Sequence, residues 1–302
     1  MAFPWLRFLF CLTLVVPQSS GFARSEVAGR APPTLAQTLA DDRAVLAVGF
    51  RLSAAAADLC VPPVPGIGIA VHGLDQYAPA YRAAAAMVFA RAGFPGVLAV
   101  APAGPAARAG VAPGDAILAV AGAPVAGSTD LAAVEELLAR IDAAARRGAV
   151  RLDLARGGSR IVAMVVPVPT CGARFQVRAE RALNAFSDGS RIEVTTGLLR
   201  YLHGPDELAA VLAHELAHVV LHHRGRAAAG AGSRAAEAAA DRMSVRLIAR
   251  AGYAPAALLS FWSRIEREHG GGLFAARSHP HGRARVAAIG AEIARLGAEP
   301  PR

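Results

Sequence analysis

The 302-residue sequence predicts an α+β chain: a small, barrel-like β domain in the middle and, behind it, a mainly helical domain with a short edge-strand sheet. Three observations lead there. Val97–Val100, Val150–Leu154 and Ile161–Val166 are short apolar runs of strand length around a Gly- and Pro-punctuated stretch from Gly104 to Gly122. From Pro205 onward, apolar residues recur at helical spacing with few interruptions. Inside the first of those helices stands Leu212-Ala213-His214-Glu215-Leu216-Ala217-His218-Val219, whose His-Glu-x-x-His pattern projects two imidazoles from one face toward a single metal ion.

In chain order, residues 1–23 have the form of a secretory signal. Arg7 is the charged start, Phe8 to Val16 the apolar run, and Gly21-Phe22-Ala23 the small-x-small cleavage site; the run is too short to span a bilayer. An exported, periplasmic chain without a transmembrane span follows as the expectation. Residues 24–60 come next as leader and accessory segment: 24–40 are rich in Ala, Pro, Ser and Thr, and Val45 to Leu52 is an apolar strand expected to join the β domain. Cys60 and Cys171 bracket the middle of the chain. An oxidising compartment and an even count favour one disulfide between them, with two buried thiols as the alternative.

Residues 61–170 are the β domain. Gly104-Pro105-Ala106-Ala107-Arg108-Ala109-Gly110-Val111-Ala112-Pro113-Gly114-Asp115 followed by Ala116 to Gly122 resembles a PDZ domain, in which a short helix, a Gly-Asp turn and a strand follow one another. The resemblance makes Tyr81 to Ala90 and Asp130 to Ala145 helices, the latter walling a peptide groove. Gly66, Ile67, Gly68 and Ile69 have the shape of the loop that grips a C-terminal carboxylate, where glycines let backbone N–H groups point at an anion and the adjoining strand edge takes the peptide. The competing view is a PDZ-like module packed on the rest of the chain as a structural lid.

Residues 171–302 carry the chemistry. Pro205 with Asp206 and Glu207 makes a good first helical turn, and no Pro or Gly follows before Gly225. Leu208, Leu212, Leu216 and Val219 can pack inward, with Val211, His214, His218 and His222 on the next stripe. Two neutral imidazoles give half of a tetrahedral zinc shell, and Glu215 is placed to take a proton from water activated there. A catalytic zinc needs a third protein ligand and an open position. Behind the N-cap Ser233, Glu237 and Asp241 lie at i and i+4 on a helix: Glu237 can complete the ligand set and Asp241 can orient a histidine ligand through its other N–H. Such an acidic pair followed by Arg242 and Arg246 can also be a solvated ion-pair ladder.

His214-Glu215-x-x-His218, then Glu237-x-x-Ala240-Asp241, then Ser278-His279-Pro280 with Arg285 downstream, resembles the HtpX-like zinc peptidases, the family that includes the CAAX prenyl endopeptidases. Asn184 to Gly189 and Ile192 to Leu199 resemble that family's strand and turn before the metal helix. The likeness covers about residues 173 to 290. It implies one Zn²⁺ held by His214, His218 and Glu237, Glu215 as general base, and His279 near the metal, where it caps the open position or bonds the oxyanion; otherwise His279 is a turn residue held by Pro280. It also implies that the Ile192 to Thr195 strand accepts substrate backbone as an added strand. His222 and His223 are assigned to the helix C-terminus and its dipole, and His203 and His281 to loops. Pro255 to His269 and Arg283 to Leu296 complete the helices, with Gly270-Gly271-Gly272 as a hinge between them.

The formal net charge is +9, and every basic residue is Arg. No helix-turn-helix, zinc-finger or stacking pattern accompanies it, so nucleic acid is excluded as partner, leaving a diffuse basic surface with weak attraction to anionic lipid. The sequence thus describes an exported zinc endopeptidase acting on unfolded or misassembled envelope proteins, with a PDZ module for recognition or regulation. The alternative is a PDZ adaptor whose metal only holds the fold.

Overall fold

The computed structural model describes residues 34–88, 93–223, 234–269 and 282–298, and the signal segment lies outside them. It opens with α1 (Leu35–Ala55), where a leader and an apolar strand were expected. Thr34 starts this helix: its Oγ1 accepts from the Gln37 amide at 3.3 Å, while its own amide donates to Gln37 Oε1 at 2.9 Å, a reciprocal capping box. The Val45–Leu52 run is apolar because the helix is buried on two sides. Val45, Val48, Leu52 and, just beyond its end, Ala56 enter the core of the C-terminal part, whereas Leu46 and Phe50 lie against Ala99 and Ala101 of the β domain. Two buried helical stripes side by side read as one continuous apolar run.

The β domain contains β1 (Val64–Gly66), β2 (Ile69–His72), α2 (Pro79–Ala86), β3 (Gly96–Val100), the helical turn α3 (Pro105–Arg108), β4 (Ala116–Val120), β5 (Ala123–Pro124), α4 (Leu131–Ala145), β6 (Val150–Arg156), β7 (Ser159–Val165) and β8 (Val168–Thr170). The main sheet runs β2-β3-β4-β6-β7 with antiparallel neighbours, β5 pairs with β4, and β1 pairs antiparallel with β8. Asp130 caps α4 by accepting from the Ala133 amide at 2.8 Å. That helix closes a core of Ile117, Val120, Leu137, Ile141, Leu152 and Leu154. Asp115 of the Gly-Asp turn is fully buried, and Arg156 Nε (2.6 Å) and Nη2 (2.8 Å) hold its two carboxylate oxygens. The Cys60–Cys171 disulfide ties the chain just after α1 to the end of β8.

The helical part follows, with β9 (Arg174–Arg178), β10 (Ala185–Ser187), β11 (Arg191–Thr195), α5 (Thr196–Tyr201), α6 (Pro205–Val220), α7 (Arg234–Arg250), α8 (Ala256–His269) and α9 (Arg283–Ala298). β11 is the middle strand, antiparallel to β10 and parallel to β9. Ile192 to Thr195 therefore has both edges filled and cannot accept another strand; among the described residues, the edge of this sheet nearest α6 that pairs with no further strand is that of β10. α6 is enclosed rather than amphipathic. Every residue from Glu207 to Ala217 is buried, because α1, α7 and α8 all pack on it.

One junction between the two parts is charged. Half-buried Asp42 of α1 faces Tyr77, whose hydroxyl lies 2.5 Å from His72 Nδ1 at the end of β2. Burial, with Asp41 beside it, raises the Asp42 carboxyl to about 7. A folded-state value above the unfolded one means stability that is full below about pH 4 and lost as pH rises through 7. Asp42→Asn is accordingly expected to raise Tm at pH 8 and to change it little at pH 4, measured by thermal melts at both. His72 works in the opposite sense: burial lowers it to about 4, so its contribution is full above pH 6.5 and falls away in acid.

Candidate metal centre

His214 and His218 sit one turn apart on α6, and their Nε2 atoms approach to 3.2 Å. α7 crosses them. Glu237 Oε2 lies 3.4 Å from His214 Nε2, and its Oε1 lies 3.6 Å from His218 Nε2. Among the described residues, these are the side chains whose ligand atoms all come within 4.8 Å of one another. His214 is 2% exposed and Glu237 4%, so the alternative of a solvated acidic ladder fails here. Two imidazole nitrogens and a carboxylate converging in a buried space suit a divalent metal such as zinc, and leave its remaining position to water and substrate.

The arrangement behind the ligands supports the same fit. Asp241, one turn after Glu237, accepts from His214 Nδ1 at 3.0 Å, which turns Nε2 toward the cluster. Arg285 of α9 pairs with the same Asp241 oxygen at 2.6 Å, and its guanidinium stacks 3.5 Å above the Trp262 ring of α8. Cation–π contact with a buried indole fixes a guanidinium in one place. Burial and Arg285 push His214 down, but the hydrogen bonds to Asp241 and Glu237 outweigh them and hold the imidazole up at about 9. Burial alone would raise Asp241; His214 and Arg285 bring it below the ordinary carboxylate range.

Glu215 is 4% exposed and follows His214 directly on α6. His279 and Ser233 lie outside the described residues, as does the glycine hinge. Arg246 leaves the acidic pair and bonds Glu292 of α9 at 3.1 Å. Trp262 lies over Arg285 because α8 and α9, consecutive in the chain, pack against each other beside α6 and α7.

In the β domain, Ile67 is buried and Gly68 takes a left-handed φ of 75°. The Ile67 and Gly68 carbonyls accept from the Ala106 and Ala101 amides at 3.0 and 2.8 Å, which shapes the turn before Ile69 and β2. The glycines also serve packing. A Cβ on Gly66 would lie 2.6 Å from Thr170 Cγ2, and one on Gly68 would lie 3.2 Å from the Phe50 ring. β2 is an edge strand of the main sheet, as a peptide groove requires.

No helix among the described residues is long and apolar enough to cross a membrane. No curated protein matches the chain significantly. Residues 96–156 match the PDZ domain model, and residues 161–233 and 226–293 match the model of peptidase family M48, whose members depend on zinc. The matched stretches contain His214, Glu215, His218, Glu237, Asp241 and Arg285, so the chain carries a PDZ domain followed by a metallopeptidase domain of peptidase family M48.

Proposed function

We propose that the protein is an exported zinc-dependent endopeptidase that hydrolyses unfolded or misassembled cell-envelope polypeptides, with the PDZ domain engaging their C-termini. The observation that carries this reading is the buried convergence of His214 Nε2, His218 Nε2 and the Glu237 carboxylate, backed by Asp241. Held by His214, His218 and Glu237, a zinc ion would supply Lewis-acid polarisation of the scissile carbonyl and a more acidic water. Glu215 takes the proton from that water and passes it to the departing amine. Asp241 keeps the His214 Nδ1 proton in place, and Arg285 keeps Asp241 ionised. Substrate backbone extends the sheet at the outer edge of β10, which pairs with no further strand among the described residues, and the Gly66–Ile69 loop receives a terminal carboxylate.

Casein cleavage by the full chain tests this directly. Activity is expected to vanish on treatment with 1,10-phenanthroline and to return on adding zinc, and the products should include internal fragments. Cleavage that persists after the metal is stripped would sink the proposal, and loss of single terminal residues only would refute an endopeptidase.

A further inference from the structure

α6 does not stop where a glycine would stop it. Val220 is its last residue, and His222 takes a left-handed φ of 54°, a conformation that costs a non-glycine residue free energy. The His222 amide donates to the Val219 carbonyl at 3.1 Å and the His223 amide to the His218 carbonyl at 2.9 Å. These are the paired bonds of a Schellman reversal, usually built around glycine. The reversal folds His223 back over the last turn. Its Nδ1 then lies 3.0 Å from His218 Nδ1, with ring centroids 5.2 Å apart.

His218 Nε2 is committed to the cluster, facing His214 Nε2 and Glu237. A histidine that ligates through Nε2 carries its proton on Nδ1, and an acceptor there fixes the ring plane. For His214 that acceptor is Asp241. We infer that His223 is the corresponding positioning residue for His218: its Nδ1 lone pair accepts the His218 Nδ1 proton, with its own proton on Nε2, and so aims His218 Nε2 at the metal. The strained turn at His222 is what brings this acceptor into place. The acceptor comes from the reversal that ends the ligand helix, so the Nδ1 side of His218 is held by α6 and its C-terminal turn, whereas the Nδ1 side of His214 is held by α7 and α9. The inference rests on the metal reading of the cluster.

The test is zinc affinity of the full chain by competition with a chromophoric chelator, together with the visible spectrum of the cobalt-substituted protein. His223→Leu removes the acceptor, whereas His223→Asn keeps an acceptor oxygen near the Nδ1 position. His223→Leu is expected to weaken zinc binding by about 10- to 100-fold and to alter the cobalt bands. His223→Asn is expected to stay close to wild type in both, and metal-free thermal melts of the two variants should agree. Unchanged zinc affinity in His223→Leu, in a wild type that binds zinc, overturns the assignment alone. Equal weakening in both variants also overturns it, since packing would then be the cause. A wild-type chain that takes up no zinc overturns the metal centre and this inference with it.

Discussion

Glu215→Gln is expected to keep the zinc content of the wild type and to lower casein cleavage by about 10²- to 10⁴-fold, the usual worth of a positioned general base. The substitution keeps the side chain's volume, which matters because Glu215 is buried inside a helix enclosed on several sides. It removes only the basicity. The ligand atoms of His214, His218 and Glu237 lie on other side chains, so the metal should remain. Metal analysis and initial rates on the same preparation separate the outcomes. A variant that cuts at the wild-type rate would mean that the base is another residue; one that loses zinc would make Glu215 part of the metal shell.

The second large effect falls on stability. Arg264→Leu is expected to cost about 3–5 kcal/mol, the penalty for leaving a buried carboxylate without its partner. For a chain of this size that is a fall in Tm of roughly 10 °C. Glu207 stands in the first turn of α6, and both its oxygens are held at 2.6 Å by Nη1 and Nη2 of Arg264 from α8. The His203 amide donates to the same carboxylate at 2.8 Å, and the guanidinium lies 4.6 Å over the Tyr201 ring. Burial raises the Glu207 carboxyl, but these donors bring it below its ordinary value. A depressed carboxylate contributes stability that is present above its unfolded pKa and lost as pH falls through the folded one, so the difference between wild type and variant should shrink in acid. Replacing both partners, as Glu207→Leu with Arg264→Leu, should recover most of the loss, because a buried pair exchanged for apolar groups is often nearly neutral. Thermal melts of the two variants decide it: a double variant as unstable as the single one would show that the pair is not the source.

Much of the site is legible along the chain because it is written in local periodicity. Four-residue spacing alone puts His214 and His218 on one face of a helix, and does the same for Glu237 and Asp241. The Gly and Pro punctuation from Gly104 to Gly122 likewise encodes a helical turn, a tight turn and a strand, each made of neighbours in sequence. The cysteine pairing was expected from the even count in a chain expected to be exported, and the disulfide forms between Cys60 and Cys171.

What tertiary structure decided concerns partners rather than local conformation. Val45 to Leu52 is apolar in either case; only packing against two different cores makes it a helix. The capping box of Thr34 and Gln37 was the sequence signal that pointed that way. β11 looks like an edge strand in isolation, but strand order depends on β9 and β10 closing on both sides of it. The stack of Trp262 on Arg285, and through it the hold on Asp241 and His214, joins four helices whose order in space no single window contains. Sequence determined which side chains face the same way. The fold determined what they face, because burial and hydrogen-bond geometry depend on contacts between segments distant in the chain.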